Sequence, residues 1–351
     1  MGGVSRCPAI RIYRGIYLIT LTQVKPILSK ILGYRSFSVF IILVGLVVAF
    51  WIITPGHMFI SGPVINLFLE MYTPMIAIVT VAMALLLISG EFDLSVGSTY
   101  ALTALVTAIL YTNYGVNPAI AILAGLALGG FLGFINGIIV TKLRVSSLIV
   151  TLGTMWAFRG IALLLTLGYE TPYYPAETSP IFVNFFCGRI GAFPIPVQFL
   201  WLIVVAILLW ILLEHTKFGN WIFATGSNKE SARMMGINTD RVKIICFIMV
   251  GFLAAFAGII TATRIHIAAP WTAQTMNLEA IAGAVVGGTL LSGGVGSILG
   301  AVLGALSIRV LYIGLTMMGL SPYYFMIATG ILLIMAVAFN IIVRRRVLRR
   351  L

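Results

Sequence analysis

Asp93, Ser95, Asn136, Trp156, Asn277 and Glu279 are polar or amphipathic side chains set in otherwise apolar stretches. Amides and carboxylates exchange hydrogen bonds with hydroxyl groups, and an indole offers a flat apolar face. Together these groups suit the non-covalent passage of a sugar-like solute. Polar groups at membrane depth are costly, so they mark either a solute path or hydrogen bonds between helices. For any one of the six, both readings stand, as they do for Arg159 and Arg309.

Asp93 and Ser95 belong to Gly90-Glu91-Phe92-Asp93-Leu94-Ser95-Val96-Gly97-Ser98, which interrupts an apolar run. Two carboxylates flanked by glycines must face protein, water or a membrane boundary. Asp93 with Ser95 is read first as a cap for the following helix and second as a solute contact. No nucleophile–base arrangement stands out, so no catalytic residue is expected. His57, His215 and His266 share no metal-ligand spacing, and no metal is expected. No G-x-x-x-x-G-K-[ST] loop occurs, so the chain itself binds no ATP by that device. Gly293-Gly294-Val295-Gly296 lies between apolar segments, not between a strand and a helix, which argues against a dinucleotide. No cofactor is expected in this chain. Cys7, Cys187 and Cys246 are scattered and suggest no disulfide framework.

The elements that must position these groups are membrane helices. The chain is 61% hydrophobic and 9% charged, with mean hydropathy +1.12. A soluble surface needs more charge than that. Ten apolar stretches are expected near 36–54, 64–88, 94–111, 118–140, 147–167, 197–213, 243–262, 276–292, 297–317 and 323–343. The net charge of +13 gathers before the first stretch, at Lys142 and Arg144, between Lys217 and Lys243, and after the last. This is the distribution of cytoplasmic loops, and it puts both termini inside. No recognition-helix or zinc pattern accompanies the charge, so nucleic acid is not an expected partner. The reading is an all-α polytopic membrane protein with about ten transmembrane helices. A basic segment over 1–35 lies along the lipid surface, a transmembrane helical domain covers 36–343, and a basic tail covers 344–351.

The long polar interruption at 214–242 holds Ser227-Asn228-Lys229-Glu230-Ser231-Ala232-Arg233-Met234-Met235-Gly236-Ile237. Ser227 and Glu230 have capping-box spacing, and Gly236 suits a left-handed terminator. A helix of about two turns is expected, too short to persist without a docking partner. It is read as either a plain surface helix or a handle offered to another protein. The outer loop 168–196 is long and proline-rich, and is read as a lid or a docking site.

The two halves resemble each other. Leu128-Gly129-Gly130-Phe131-Leu132-Gly133 parallels Leu299-Gly300-Ala301-Val302-Leu303-Gly304, and Gly125 parallels Gly296. Asp93-Leu94-Ser95 parallels Asn277-Leu278-Glu279. On the expected topology the halves are inverted, with the solute path between them.

Three stretches carry a family resemblance. Gly90 to Ser98 resembles the G-G-x-D-L-S-V-G-S signature of sugar-type bacterial ABC-importer permeases, the ribose permease family. Ala224-Thr225-Gly226-Ser227-Asn228, followed by Glu230, Ala232, Arg233 and Gly236-Ile237-Asn238, resembles that family's cytoplasmic loop. Asn277 to Ala282, Gly287-Gly288-Thr289 and Gly293 to Gly296 resemble its next signature. Glu91 departs from the pattern, which has a small or apolar residue there. The resemblance implies a multi-pass subunit of the bacterial plasma (inner) membrane. It implies a second permease copy or paralogue, a cytosolic ATPase pair that hydrolyses ATP, and an extracytoplasmic sugar-binding protein. Ser227, Asn228, Glu230, Ala232, Arg233 and Gly236 would couple to the ATPase. The alternatives are a branched-chain amino acid permease of the same class, or an ion-driven transporter with Asp93 and Glu279 carrying protons.

Overall fold

In lipid, every backbone N–H and C=O must be bonded within the protein, and apolar runs of about twenty residues meet that demand as helices. The computed structural model describes residues 35–70, 72–174, 180–190 and 195–348. The expected basic segment, with Cys7, lies outside them but for its last residue. A first helix α1 (Arg35–Ile53) is followed by a 3-10 turn, Pro55–Ile60. Then come α2 (Gly62–Glu70), α3 (Tyr72–Ile88), α4 (Val96–Thr112), α5 (Pro118–Lys142) and α6 (Ser147–Thr166). The segment between α6 and α8 contributes β1 (Thr171–Pro172), α7 (Pro180–Cys187), β2 (Arg189–Ile190) and β3 (Ile195–Pro196). The rest comprises α8 (Val197–His215), α9 (Lys217–Ser227), α10 (Lys229–Met234), α11 (Thr239–Ile265), β4 (Ile267–Ala268), α12 (Met276–Val286), α13 (Ile298–Met317) and α14 (Pro322–Leu348).

Among the described residues α5, α6, α8, α11 and α13 are long and apolar enough to cross a membrane, and α2 with α3 form one bent candidate span. Shorter apolar stretches lie in α1, α4, α12 and α14. The protein is therefore an all-α polytopic membrane protein. The expected span at 276–292 needs correction, because α12 stops at Val286. Gly288 takes φ +90°, and Gly287 packs against the Gly300 carbonyl too closely for a side chain. At about 1.5 Å per residue, α12 falls short of a bilayer core of about 30 Å. Residues 287–297 instead fold back as a connection.

The core is built around α3 and α11. From Ala77 to Ile88 the side chains of α3 are fully buried, so its apolar character on every side is matched by protein on every side. α11 packs on α3, α4 and α5. The α5–α11 crossing is tight, since a Cβ at Gly129 would lie 2.6 Å from the Gly251 carbonyl oxygen.

Helix pairing recurs between the halves. α4–α5, α4–α6 and α5–α6 contacts have counterparts in α12–α13, α12–α14 and α13–α14. Likewise α4–α11 and α5–α11 correspond to α12–α3 and α13–α3. One difference is local: Asp93-Leu94-Ser95 precedes α4, whereas Asn277-Leu278-Glu279 is the first turn of α12.

The described parts of the loop over 168–196 are tied down. β1 pairs antiparallel with β4, and β2 with β3. Glu70 on α2 pairs with Arg189 at 2.7 Å and approaches Arg264 at 3.9 Å. Burial pushes the Cys187 thiol in α7 up to about 12, so it stays protonated and unreactive.

Candidate functional site

The polar residues separate into two groups. Asp93 and Ser95 lie in the connection after α3, and Asn136 projects from α5. Asp93 Oδ1 accepts from the Ser95 backbone N–H at 2.7 Å and from Ser95 Oγ at 2.6 Å. Asn136 Nδ2 donates to Asp93 Oδ2 at 3.2 Å and to Ser95 Oγ at 2.9 Å. All three residues are buried. Ser95 stands at the N-cap of α4 without a side-chain cap bond. Asp93 thus holds the entry to α4 through Ser95 rather than capping the helix N–H groups directly.

Burial pushes the Asp93 carboxyl above its ordinary value, opposed by its hydrogen bonds from Ser95 and Asn136. A carboxyl raised in the folded state holds its proton more tightly there than in the unfolded chain. Its stabilising contribution is present below the ordinary carboxylate range and is lost as pH rises through the folded value. Asp93→Asn is therefore expected to flatten the pH dependence of thermal stability in detergent above that range. Asp93→Ala strands the buried Ser95 donors, removes one of the two acceptors of Asn136 Nδ2, and should cost about 1–3 kcal/mol, read as a lower unfolding midpoint.

The second group lines a cavity of about 280 Å³ between the first turn of α4, the middle of α6 and the start of α12. That volume is near the lower end of the roughly 300–1,000 Å³ usual for small-molecule sites. Trp156 and Asn277 line it together with Ser98, Met155, Arg159 and Gln274. Trp156, one of the lining residues, is 70% exposed. Ser98 Oγ donates to the Met155 carbonyl at 2.8 Å. Arg159 Nη1 donates to the carbonyls of Pro270 and Thr272, the latter at 3.0 Å. Asn277 Oδ1 is buried with no hydrogen-bond partner among the described residues. The cavity therefore holds an aromatic face, hydrogen-bonding groups and a cation between the two halves. Glu279 belongs to neither group, because its Oε1 accepts from Thr275 Oγ1 at 2.6 Å. Arg309 stands over the Tyr312 ring, 4.3 Å from its centroid. Ser98 closes the Gly90–Ser98 stretch that the sequence singles out, but Gln274 has no spacing that marks it.

The polar handle is α10. Asn228 caps it, its Oδ1 accepting from the Ser231 N–H at 3.0 Å. The expected Ser227–Glu230 capping box does not form, because α9 runs through Ser227 and leaves the cap position to its neighbour. Gly236 takes φ +83° and ends the helix as expected. Ala232 is buried, whereas Met234 and Met235 are more than three-quarters exposed.

The three motif stretches meet at the base of this handle. The Gly294 N–H donates to the Ile88 carbonyl at 2.8 Å. Gly226 lies against both residues, and Gly293 lies against Gly90 and the Gly226 carbonyl. Glu91 Oε1 accepts from Lys243 Nζ of α11 at 2.5 Å.

Residues 65–337 match a family described as "Branched-chain amino acid transport system / permease component". The chain belongs to this permease family. The ribose import permease protein of Escherichia coli is 39% identical over 261 residues, covering 74% of this chain and 80% of that protein. The xylose/arabinose import permease protein of Sulfolobus acidocaldarius is 36% identical, with 83% and 81% covered. The fructose import permease protein of Rhizobium meliloti is 32% identical, with 87% and 85% covered. No solved structure matches the chain. As a member of this permease family, the chain is a transporter subunit in a membrane.

Proposed function

We propose that this permease carries a monosaccharide or sugar-like solute inward as the membrane subunit of an ATP-binding-cassette importer. Both termini face the cytosol, and the two halves form an inverted repeat around the path. The observation that carries the reading is the clasp of Ile88, Gly226 and Gly294, which joins an exposed short helix to the helix-bearing connections. A push on α10 reaches both halves through backbone contacts. Ser227, Asn228, Glu230, Ala232, Arg233 and Gly236 form or support the docking surface for a cytosolic ATPase, which hydrolyses the ATP.

Trp156 and Asn277, with Ser98 and Arg159, contact the solute. Asp93, Ser95 and Asn136 keep the entry to α4 in register beside the path, and Glu279 fixes the start of α12. A second permease copy or paralogue completes the pore, and an extracytoplasmic binding protein delivers solute to the outer loop. The protein works in the plasma (inner) membrane. Relatives named for ribose, xylose/arabinose and fructose favour a sugar over a branched-chain amino acid.

The test is uptake by proteoliposomes holding the permease with its ATPase and binding protein. ATP-dependent entry of labelled ribose, xylose or fructose, without entry of leucine, is the expected result. Entry of leucine alone would overturn the substrate class.

A further inference from the structure

At Glu91 a departure from the resembled signature meets a buried opposite charge, Lys243. Their side chains are only 16% and 8% exposed, and they bond at 2.5 Å. A buried ammonium without a counter-charge is strongly disfavoured, so each residue requires the other. The pair also has neighbours at both ends. Lys243 follows Asp240 by three residues, a spacing that puts both near one face of α11. Asp240 Oδ1 accepts from Arg233 Nη2 at 2.7 Å and lies 3.8 Å from Lys229 Nζ, both on the handle helix. Arg233 Nε also donates to Thr239 Oγ1 at 2.9 Å. At the other end, Glu91 lies two residues before Asp93, whose carboxylate is bonded to Asn136 of α5. Burial lowers the Lys229 ammonium, helped by the charges of Lys243 and Arg233 and opposed by Asp240 and Glu91. Lys229 therefore senses the other four charges.

We propose that the Glu91–Lys243 ion pair is a positioning strut. It fixes the α3–α4 connection to the first turns of α11, so that movement of the handle reaches Asp93 and the cavity at the start of α4. Backbone contacts at Gly226 and Gly294 join the handle to one side of that connection. The ion pair joins it from the other side, through α11. Without the pair the handle still docks on its ATPase, but its movement is absorbed at the connection before it reaches α4. The inference rests on the reading of the chain as an ATP-driven permease.

The test uses the whole importer in proteoliposomes and reads solute taken up per ATP hydrolysed. A variant that merely folds poorly lowers both rates together and leaves that ratio alone. Glu91→Gln and Lys243→Gln are each expected to lower the ratio roughly tenfold while ATPase activity persists, within the usual range of coupling between sites. The exchange Glu91→Lys with Lys243→Glu is expected to restore most of it. An unchanged ratio in the single variants would overturn the proposal. If the single variants do not assemble, the exchange decides: assembly regained with the ratio still low would overturn it as well. Absence of ATP-driven uptake by the unaltered complex would instead refute the functional reading on which the strut depends.

Discussion

Gly236→Arg is expected to abolish ATP-coupled uptake while the protein still inserts and folds. The Gly236 N–H donates to the Arg233 carbonyl at 2.9 Å, and the Ile237 N–H to the Ala232 carbonyl at 3.0 Å. This is the paired closure of a helix that ends in a left-handed residue. A side chain in that conformation costs roughly 1–2 kcal/mol, which a polytopic bundle can absorb. Beyond the adjoining residues, no described heavy atom lies within 4 Å of a Cβ built there, so the fold has room for the change. The new guanidinium would instead project from the end of α10, beside exposed Met234 and Met235. An interface disrupted by about 2 kcal/mol loses roughly 30-fold in affinity. The measurement is uptake and ATPase binding beside a membrane-insertion control. Gly236→Asn, which accepts the left-handed conformation more readily, should retain much more activity. Normal uptake by the arginine variant would remove the docking role of the handle.

Gly226→Val is expected to act on the fold itself. A Cβ at Gly226 would stand 1.8 Å from the Ile88 carbonyl oxygen and 2.6 Å from the Gly294 nitrogen. Both neighbours are backbone, so no rotamer change relieves the clash. The connection after α3 must part from the connection after α12, breaking the Gly294-to-Ile88 hydrogen bond. Overpacking of this kind typically costs 1–3 kcal/mol, and more where only backbone can yield. A lowered unfolding midpoint in detergent, with uptake near background, is the expected result. A wild-type midpoint would show that the three connections are not held together at this point.

Much of the architecture was legible because lipid restricts the backbone so severely. Long apolar runs located α3, α5, α8, α11 and α13. The early end of α12 was not legible, since it depends on Gly287 meeting the Gly300 carbonyl across the fold. The cap of α10 fell on Asn228 because a helix in front of it persisted one residue further than local spacing suggests. Polar residue types singled out Asp93, Ser95, Asn136, Trp156 and Asn277, but periodicity could not divide them into a buried triad and a cavity wall. Gln274 was invisible for the same reason: its place depends on how the segment before α12 turns against α6. In the sequence Glu91 is only an irregularity, since its partner Lys243, far away along the chain, meets it only in the fold.

On the proposed function the chain is a gate moved by energy delivered through α10, and not a pump in its own right. The most direct measurement is accumulation of labelled sugar in proteoliposomes that contain the purified permease with the binding protein, with and without the ATPase and ATP. The account predicts uphill accumulation only when the ATPase and ATP are both present, and none under an imposed proton or sodium gradient alone. Accumulation against a gradient by the permease without the ATPase would contradict it.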